Sequence, residues 1–256
     1  MRKTLIALSV GAALATPLVA SADGSSVSAN VSITSQYIYR GIAQSGGEPA
    51  IQGGFDYDAG NGIYVGTWGS SISWLSDTGA ATGAGMEWDI YGGYKGSINS
   101  DLGYDVGVLT YNYPRKALNA GFADPNTVEF YGALSYKWLT AKYSITTGNL
   151  FGSTQSDGST ASGSGYLDVS ASYDMGNGLS LGAHVGHQTV KGNSDASYSD
   201  YNVSVSKEIG KIGTVALLLS DTNAKDNCGA TPEFYCQGGD YSAGKSTAVL
   251  SFSKSF

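Results

Sequence analysis

Between Ala29 and Phe256, apolar and polar residues alternate with a period of two through stretch after stretch of about ten residues, a pattern that only strands with two unlike faces satisfy. The clearest stretch sets Met86, Trp88, Ile90 and Tyr94 against Glu87, Asp89 and Tyr91. Val128, Phe130, Leu134, Tyr136 and Trp138 likewise oppose Glu129, Ser135 and Lys137, and Leu167, Val169, Ala171 and Tyr173 oppose Asp168, Ser170 and Ser172. The same reading places Val31, Ile33, Tyr37 and Tyr39 on one face of the first strand, and Tyr64, Trp68, Ile72 and Trp74 on one face of the third. About twelve strands are counted in this way, an even number as a closed antiparallel bacterial barrel requires. Such alternation averages out, so the mean hydropathy of −0.10 says nothing against a membrane location. With 37 Gly and 18 Tyr in 256 residues, the composition suits strands and turns rather than helices.

The connections alternate between tight and long. Asp58–Gly62, Lys95–Asp101, Trp138–Thr140, Asp174–Gly178 and Lys207–Gly213 are tight. Gly41–Pro49, Leu75–Gly85, Pro114–Asn126, Asn149–Gly165, Lys191–Asp200 and Asp221–Lys245 are long. A soluble sandwich would not sort its loops by parity, whereas outer-membrane barrels pair short periplasmic turns with longer extracellular loops. The expected fold is therefore all-β, a single antiparallel transmembrane β-barrel over residues 23–256. Aromatic residues near strand ends, among them Tyr37, Tyr39, Trp74, Tyr94, Tyr113, Trp138 and Tyr173, are expected to form interfacial girdles against the outer-membrane lipids.

Residues 1–22 read as a cleaved signal peptide. Arg2 and Lys3 precede an apolar run from Leu5 to Val19, and Ala20-Ser21-Ala22 supplies the small residues of a cleavage site. The run is shorter than the roughly 20 residues of a membrane-spanning helix. Loss of Arg2 and Lys3 takes the formal charge from −7 to −9, and an acidic exported chain argues against nucleic acid as a partner. In an exported chain, Cys228 and Cys236 are expected to form a disulfide that staples the last long loop.

The segments TSQYIYRGIAQS (Thr34 to Ser45), PAIQGGFDY (Pro49 to Tyr57), YVGTWGS (Tyr64 to Ser70), EWDIYGGY (Glu87 to Tyr94), DVGVLTYNYP (Asp105 to Pro114) and VEFYGALSY (Val128 to Tyr136) carry a resemblance to the TorF-type porin family. It extends over the whole mature chain and is densest in the first half. The resemblance implies an outer-membrane porin and leaves the solute unnamed. Phe256 closes an alternating strand, which resembles the C-terminal signal read by the barrel assembly machinery, although Lys254 stands where an apolar residue is usual.

Charged residues on the polar faces are the candidate lumen groups: Arg40, Asp56, Glu87, Asp89, Asp105, Glu129, Lys137, Lys142 and Asp168. Their acidic surplus would favour cations in a wet lumen. Arg40 opens the first long loop, where it either pairs with an acidic wall residue or meets the solute. Tyr91, Tyr111 and Tyr131 point inward and would narrow a twelve-stranded barrel, so small hydrophilic solutes are the expected cargo. Two readings compete with this one. A sealed barrel could bind a partner through its extracellular loops, Asp221–Lys245 above all. A barrel-embedded hydrolase would need a Ser–His pair on the lipid-facing wall, but His184 falls on the lumen face and only His187 alternates outward. No Gly-x-Ser-x-Gly elbow, metal-ligand cluster or phosphate-binding loop occurs, so neither an enzyme nor a cofactor is expected.

Overall fold

The computed structural model describes residues 24–155, 157–231 and 233–256; the expected signal peptide lies outside them. Twelve strands form one closed barrel: β1 Ser26–Thr34, β2 Ala50–Asp58, β3 Ile63–Ser71, β4 Met86–Ser97, β5 Leu102–Asn112, β6 Thr127–Tyr136, β7 Leu139–Thr146, β8 Gly165–Gly176, β9 Leu179–Thr189, β10 Tyr198–Ile209, β11 Gly213–Thr222 and β12 Thr247–Ser255. Each strand pairs antiparallel with its sequence neighbours, and β1 closes the ring against β12. Among the described residues no helix is long and apolar enough to cross a membrane; the barrel strands take that place.

Register follows the alternation. Ile33 of β1 lies level with Ile51 of β2 and Phe252 of β12, so one apolar row runs across three strands on the outer surface. Val31, Ile51, Phe55, Val65, Ile90, Val106, Phe130, Val203 and Leu250 are all exposed there. In water such a belt would be untenable, and in a bilayer it is the buried face. Tyr57, Tyr94, Tyr136, Trp138 and Tyr173 stay half-exposed near the short-turn end, at the level of an interfacial girdle.

Two expectations about faces need correction. On β3 the outward residues are Ile63 and Val65, while Tyr64 and Trp68 point inward, with Trp68 only 5% exposed. Period-two patterning fixes which residues share a face but not which face is inside, and aromatic residues satisfy either. Here the inward choice is set by glycine. Gly66 lies opposite Tyr91, and a Cβ at Gly66 would sit 2.4 Å from the Tyr91 ring. Gly107 is matched in the same way with Tyr131. The interior thus accommodates tyrosines by laying each across a neighbouring glycine. Nor do Tyr37, Tyr39, Trp74 and Tyr113 join a girdle. They belong to the long-loop end and fold inward, where Tyr37 and Tyr113 are nearly fully buried.

The long connections pack on one another over the barrel mouth. Three short two-stranded ribbons organise them: Ile38–Tyr39 with Ile42–Ala43, Ala81–Thr82 with Ala117–Leu118, and Cys236–Gln237 with Tyr241–Ser242. Cys228 and Cys236 form a disulfide within the last long loop.

Candidate functional site

The first long loop turns back into the barrel as a β-hairpin. Arg40 and Gly41 form its tip with φ of 48° and 77°, the two positive values of a two-residue turn matched to strand twist. Gly41 is obligatory for a second reason. A Cβ there would lie 2.4 Å from Thr222 Cγ2 and 2.6 Å from Asp200 Cβ, so the tip is seated against β10 and β11 with no room for a side chain.

The hairpin is tied to opposite walls. Tyr37 donates to Glu87 Oε1 of β4 at 2.8 Å, and Tyr198 at the start of β10 donates to the Arg40 carbonyl at 2.9 Å. β4 and β10 stand six strands apart in a ring of twelve, so these contacts span the diameter. Ile38, Ile42 and Ala43 pack on Leu218 and Val249, which fills the remaining side. Hairpin, tyrosines and wall together occupy the long-loop half of the interior.

Arg40 is the centre of this arrangement. Its guanidinium meets both oxygens of Glu129 at 2.7 and 3.0 Å and donates to Gln188 Oε1 at 2.9 Å. It also lies 4.2 Å over the Tyr166 ring. Burial works against the charge on Arg40, but the Glu129 carboxylate, with Tyr39 and Tyr111, outweighs it and raises its pKa above the ordinary value. The ion pair is 8% and 2% exposed. Around it, Tyr39 and Tyr111 join hydroxyls, and Tyr113 donates to Glu87 Oε2 at 2.9 Å. Burial, then Glu87, pushes the Tyr37 phenol up, so it remains a donor.

Towards the short-turn end the interior becomes more polar. Tyr91 donates to Asp56 at 2.6 Å, Tyr64 donates to Asp105 at 2.7 Å, and Lys142 lies 4.1 Å over the Tyr131 ring, in register with Asp168. Asp89 is 3% exposed, and one oxygen each of Asp89 and Asp56 has no hydrogen-bond partner among the described residues. Ser204, Ser251 and Ser253 line the wall across from Asp89 and Asp105, and they are partly water-accessible.

Eight of the nine candidate charges therefore lie on the inner surface or on the hairpin that enters it. Lys137 does not. It sits at the tip of the β6–β7 turn with φ 54°, half-exposed and 3.8 Å from Asp101 on the neighbouring turn. Alternation does not fix side-chain direction in a turn, and Lys137 lies beyond the end of β6. Asp200, which loop spacing puts in the connection before β10, is instead the inward third residue of that strand. It is 1% exposed and accepts from Tyr166 and His184. The alternation Asp200, Asn202, Ser204, Ser206 was the available signal.

His184 is clamped between Asp168 at 3.1 Å and Asp200 at 2.8 Å, an interior ion cluster with no serine on either ring nitrogen. His187 faces outward, and its Nδ1 meets Ser199 Oγ at 2.9 Å. No carboxylate or amide among the described residues orients its other nitrogen, so the pair lacks the third group that aligns a nucleophile's base. No cluster of metal-ligating side chains occurs among the described residues.

Solved structures with a similar fold include the KdgM porin, with 8% identity and a TM-score of 0.53 over 90% of this chain and 98% of that one. A second is KdgM porin in complex with disordered oligogalacturonate, with 8% identity, a TM-score of 0.51 and coverage of 91% and 98%. The NanC porin gives 9% identity and a TM-score of 0.53 over 89% and 98%. At such identities the likeness is one of fold, and it agrees with the twelve-stranded barrel. No curated protein matches the sequence. The family model described as "Bacterial protein of unknown function (Gcw_chp)" matches residues 19–256, and the chain belongs to that family.

Proposed function

We propose that this protein is an outer-membrane, porin-like channel that admits small hydrophilic solutes by passive diffusion and prefers cations. The observation that carries the reading is the polar interior behind an apolar belt: a water-accessible serine wall faces buried carboxylates, with the first-loop hairpin and the tyrosines packed on it lying across the long-loop half. The porin names of similarly folded proteins and the TorF-type resemblance point the same way. Long loops then face the exterior and short turns the periplasm. Asp56, Glu87, Asp89, Asp105, Glu129, Asp168 and Asp200 outnumber Arg40, Lys142 and His184, which favours cations along the path. Passage requires the hairpin to give way, so flux is low and set by that displacement.

Liposomes reconstituted with mature protein should swell in isotonic small solutes, faster for smaller ones and for cationic over anionic solutes of equal size. The filled outer half supports a second reading, a sealed barrel whose loops serve a partner. Folded protein that fails to swell liposomes, even with the hairpin displaced, would favour it.

A further inference from the structure

Above the hairpin, the long loops enclose a cavity of about 380 Å³ that opens outward, in the size range of small-ligand sites. Its lining is aromatic: Trp74 from the second loop, Phe122 from the third, Phe151 from the fourth and Phe234 with Tyr235 from the last. Four connections that need share no surface thus converge their rings on one space. Phe122 and Phe234 are nearly half-exposed at the rim, although edge-to-face packing elsewhere in the loops buries most of their neighbours. Gln44, Asn193 and Gln237 add amides between the rings.

Two lining residues carry unused hydrogen-bonding capacity. Gln237 is 4% exposed and donates to the Ala43 carbonyl at 2.8 Å, but its Oε1 has no partner among the described residues. Trp74 Nε1 is likewise buried without an acceptor. Both atoms are closed off as they stand; a small side-chain rotation would bring them to the cavity, where a hydroxyl, which both donates and accepts, would satisfy them.

Charge narrows the class further. Among the described residues of the lining the one charged side chain is Arg40, already paired with Glu129. With that pair neutral overall, the lining offers neither a free carboxylate to a cation nor a free positive group to an anion. Ring faces carry negative quadrupole density and attract polarised C–H groups, which a sugar ring presents beside its hydroxyls.

We propose that this outer vestibule binds short neutral saccharides, one class of the small hydrophilic solutes that the channel reading admits. The site rests on the channel reading only for its purpose, since binding needs no conduction. The Cys228–Cys236 disulfide then has a role: it constrains the segment that carries Phe234, Tyr235 and Gln237 over the mouth.

The test is calorimetric titration of detergent-folded mature protein with maltose, cellobiose and digalacturonate, with tryptophan fluorescence as a second readout through Trp74. Saturable binding of a neutral disaccharide, several-fold tighter than digalacturonate, is expected. Phe122→Ala and Phe234→Ala at the exposed rim should each weaken it roughly five- to tenfold without affecting the heat-modifiable mobility of the folded barrel. Trp74→Phe keeps a ring and removes the N–H, and should weaken binding less than Trp74→Ala. No saturable binding of either neutral sugar, tighter binding of digalacturonate, or binding indifferent to both rim variants overturns the proposal. Currents without sugar binding would remove the site and leave the channel; sugar binding without currents would do the reverse.

Discussion

Gly41→Ala is the perturbation through which the hairpin's role is most open to measurement. At φ +77°, an L-residue costs about 1–2 kcal/mol. The new methyl would also stand 2.4 Å from Thr222 Cγ2 and 2.6 Å from Asp200 Cβ, and overpacking of that kind costs about 1–3 kcal/mol. Together these disfavour the seated hairpin by about 2–5 kcal/mol. Since about 1.4 kcal/mol is a factor of ten, the ratio of displaced to seated hairpin rises at least about thirtyfold. Gly41 lies outside the barrel strands, so displacing the hairpin relieves the overlap with the barrel pairing kept. In planar bilayers, Gly41→Ala should therefore show longer and larger openings than wild type at equal protein insertion. Gly210→Ala supplies the control: its φ is also positive, but nothing lies within 4 Å of the added Cβ, and it sits on a short turn at the far end. Equal currents from wild type and Gly41→Ala would refute the hairpin as the barrier, as would the same gain from Gly210→Ala.

Other perturbations probe the interior. Arg40→Met leaves Glu129 buried without its partner and should weaken the seated hairpin by about 3–5 kcal/mol; Arg40→Met with Glu129→Met should lose less, read as open probability in a double-mutant cycle. Asp105→Asn should shift the reversal potential towards anions in a salt gradient, and Lys142→Met should shift it towards cations. His184→Leu strands Asp168 and Asp200 without a cation between them and should lower the temperature at which the folded band is lost on gels, whereas His187→Ala should leave it unchanged. Lipid-ester turnover abolished by His187→Ala would instead restore the hydrolase reading.

Strands and their number were legible because alternation and loop parity are both local and repeated. What alternation could not show was the inside of β3, since Tyr64 and Trp68 satisfy either face and the choice depends on glycines in neighbouring strands. The hairpin was hidden for a related reason. Tyr37 and Tyr39 continue the period of β1, yet Arg40-Gly41 is a turn whose destination is set by Glu87, Glu129 and Tyr198, 47 to 158 residues away in the chain. Arg40 was recognisable as a charge with two possible roles, and its bidentate partner was not. The disulfide is readable from spacing and compartment; the cavity that it borders arises from six loops and has no pattern in the sequence.

The most direct test of the account is single-channel recording of refolded mature wild-type protein in planar bilayers, with the reversal potential measured across a potassium chloride gradient. The account predicts discrete, infrequent steps with a cation-selective reversal. Folded, inserted protein that passes no current, both as wild type and as Gly41→Ala, would contradict it and leave a sealed barrel.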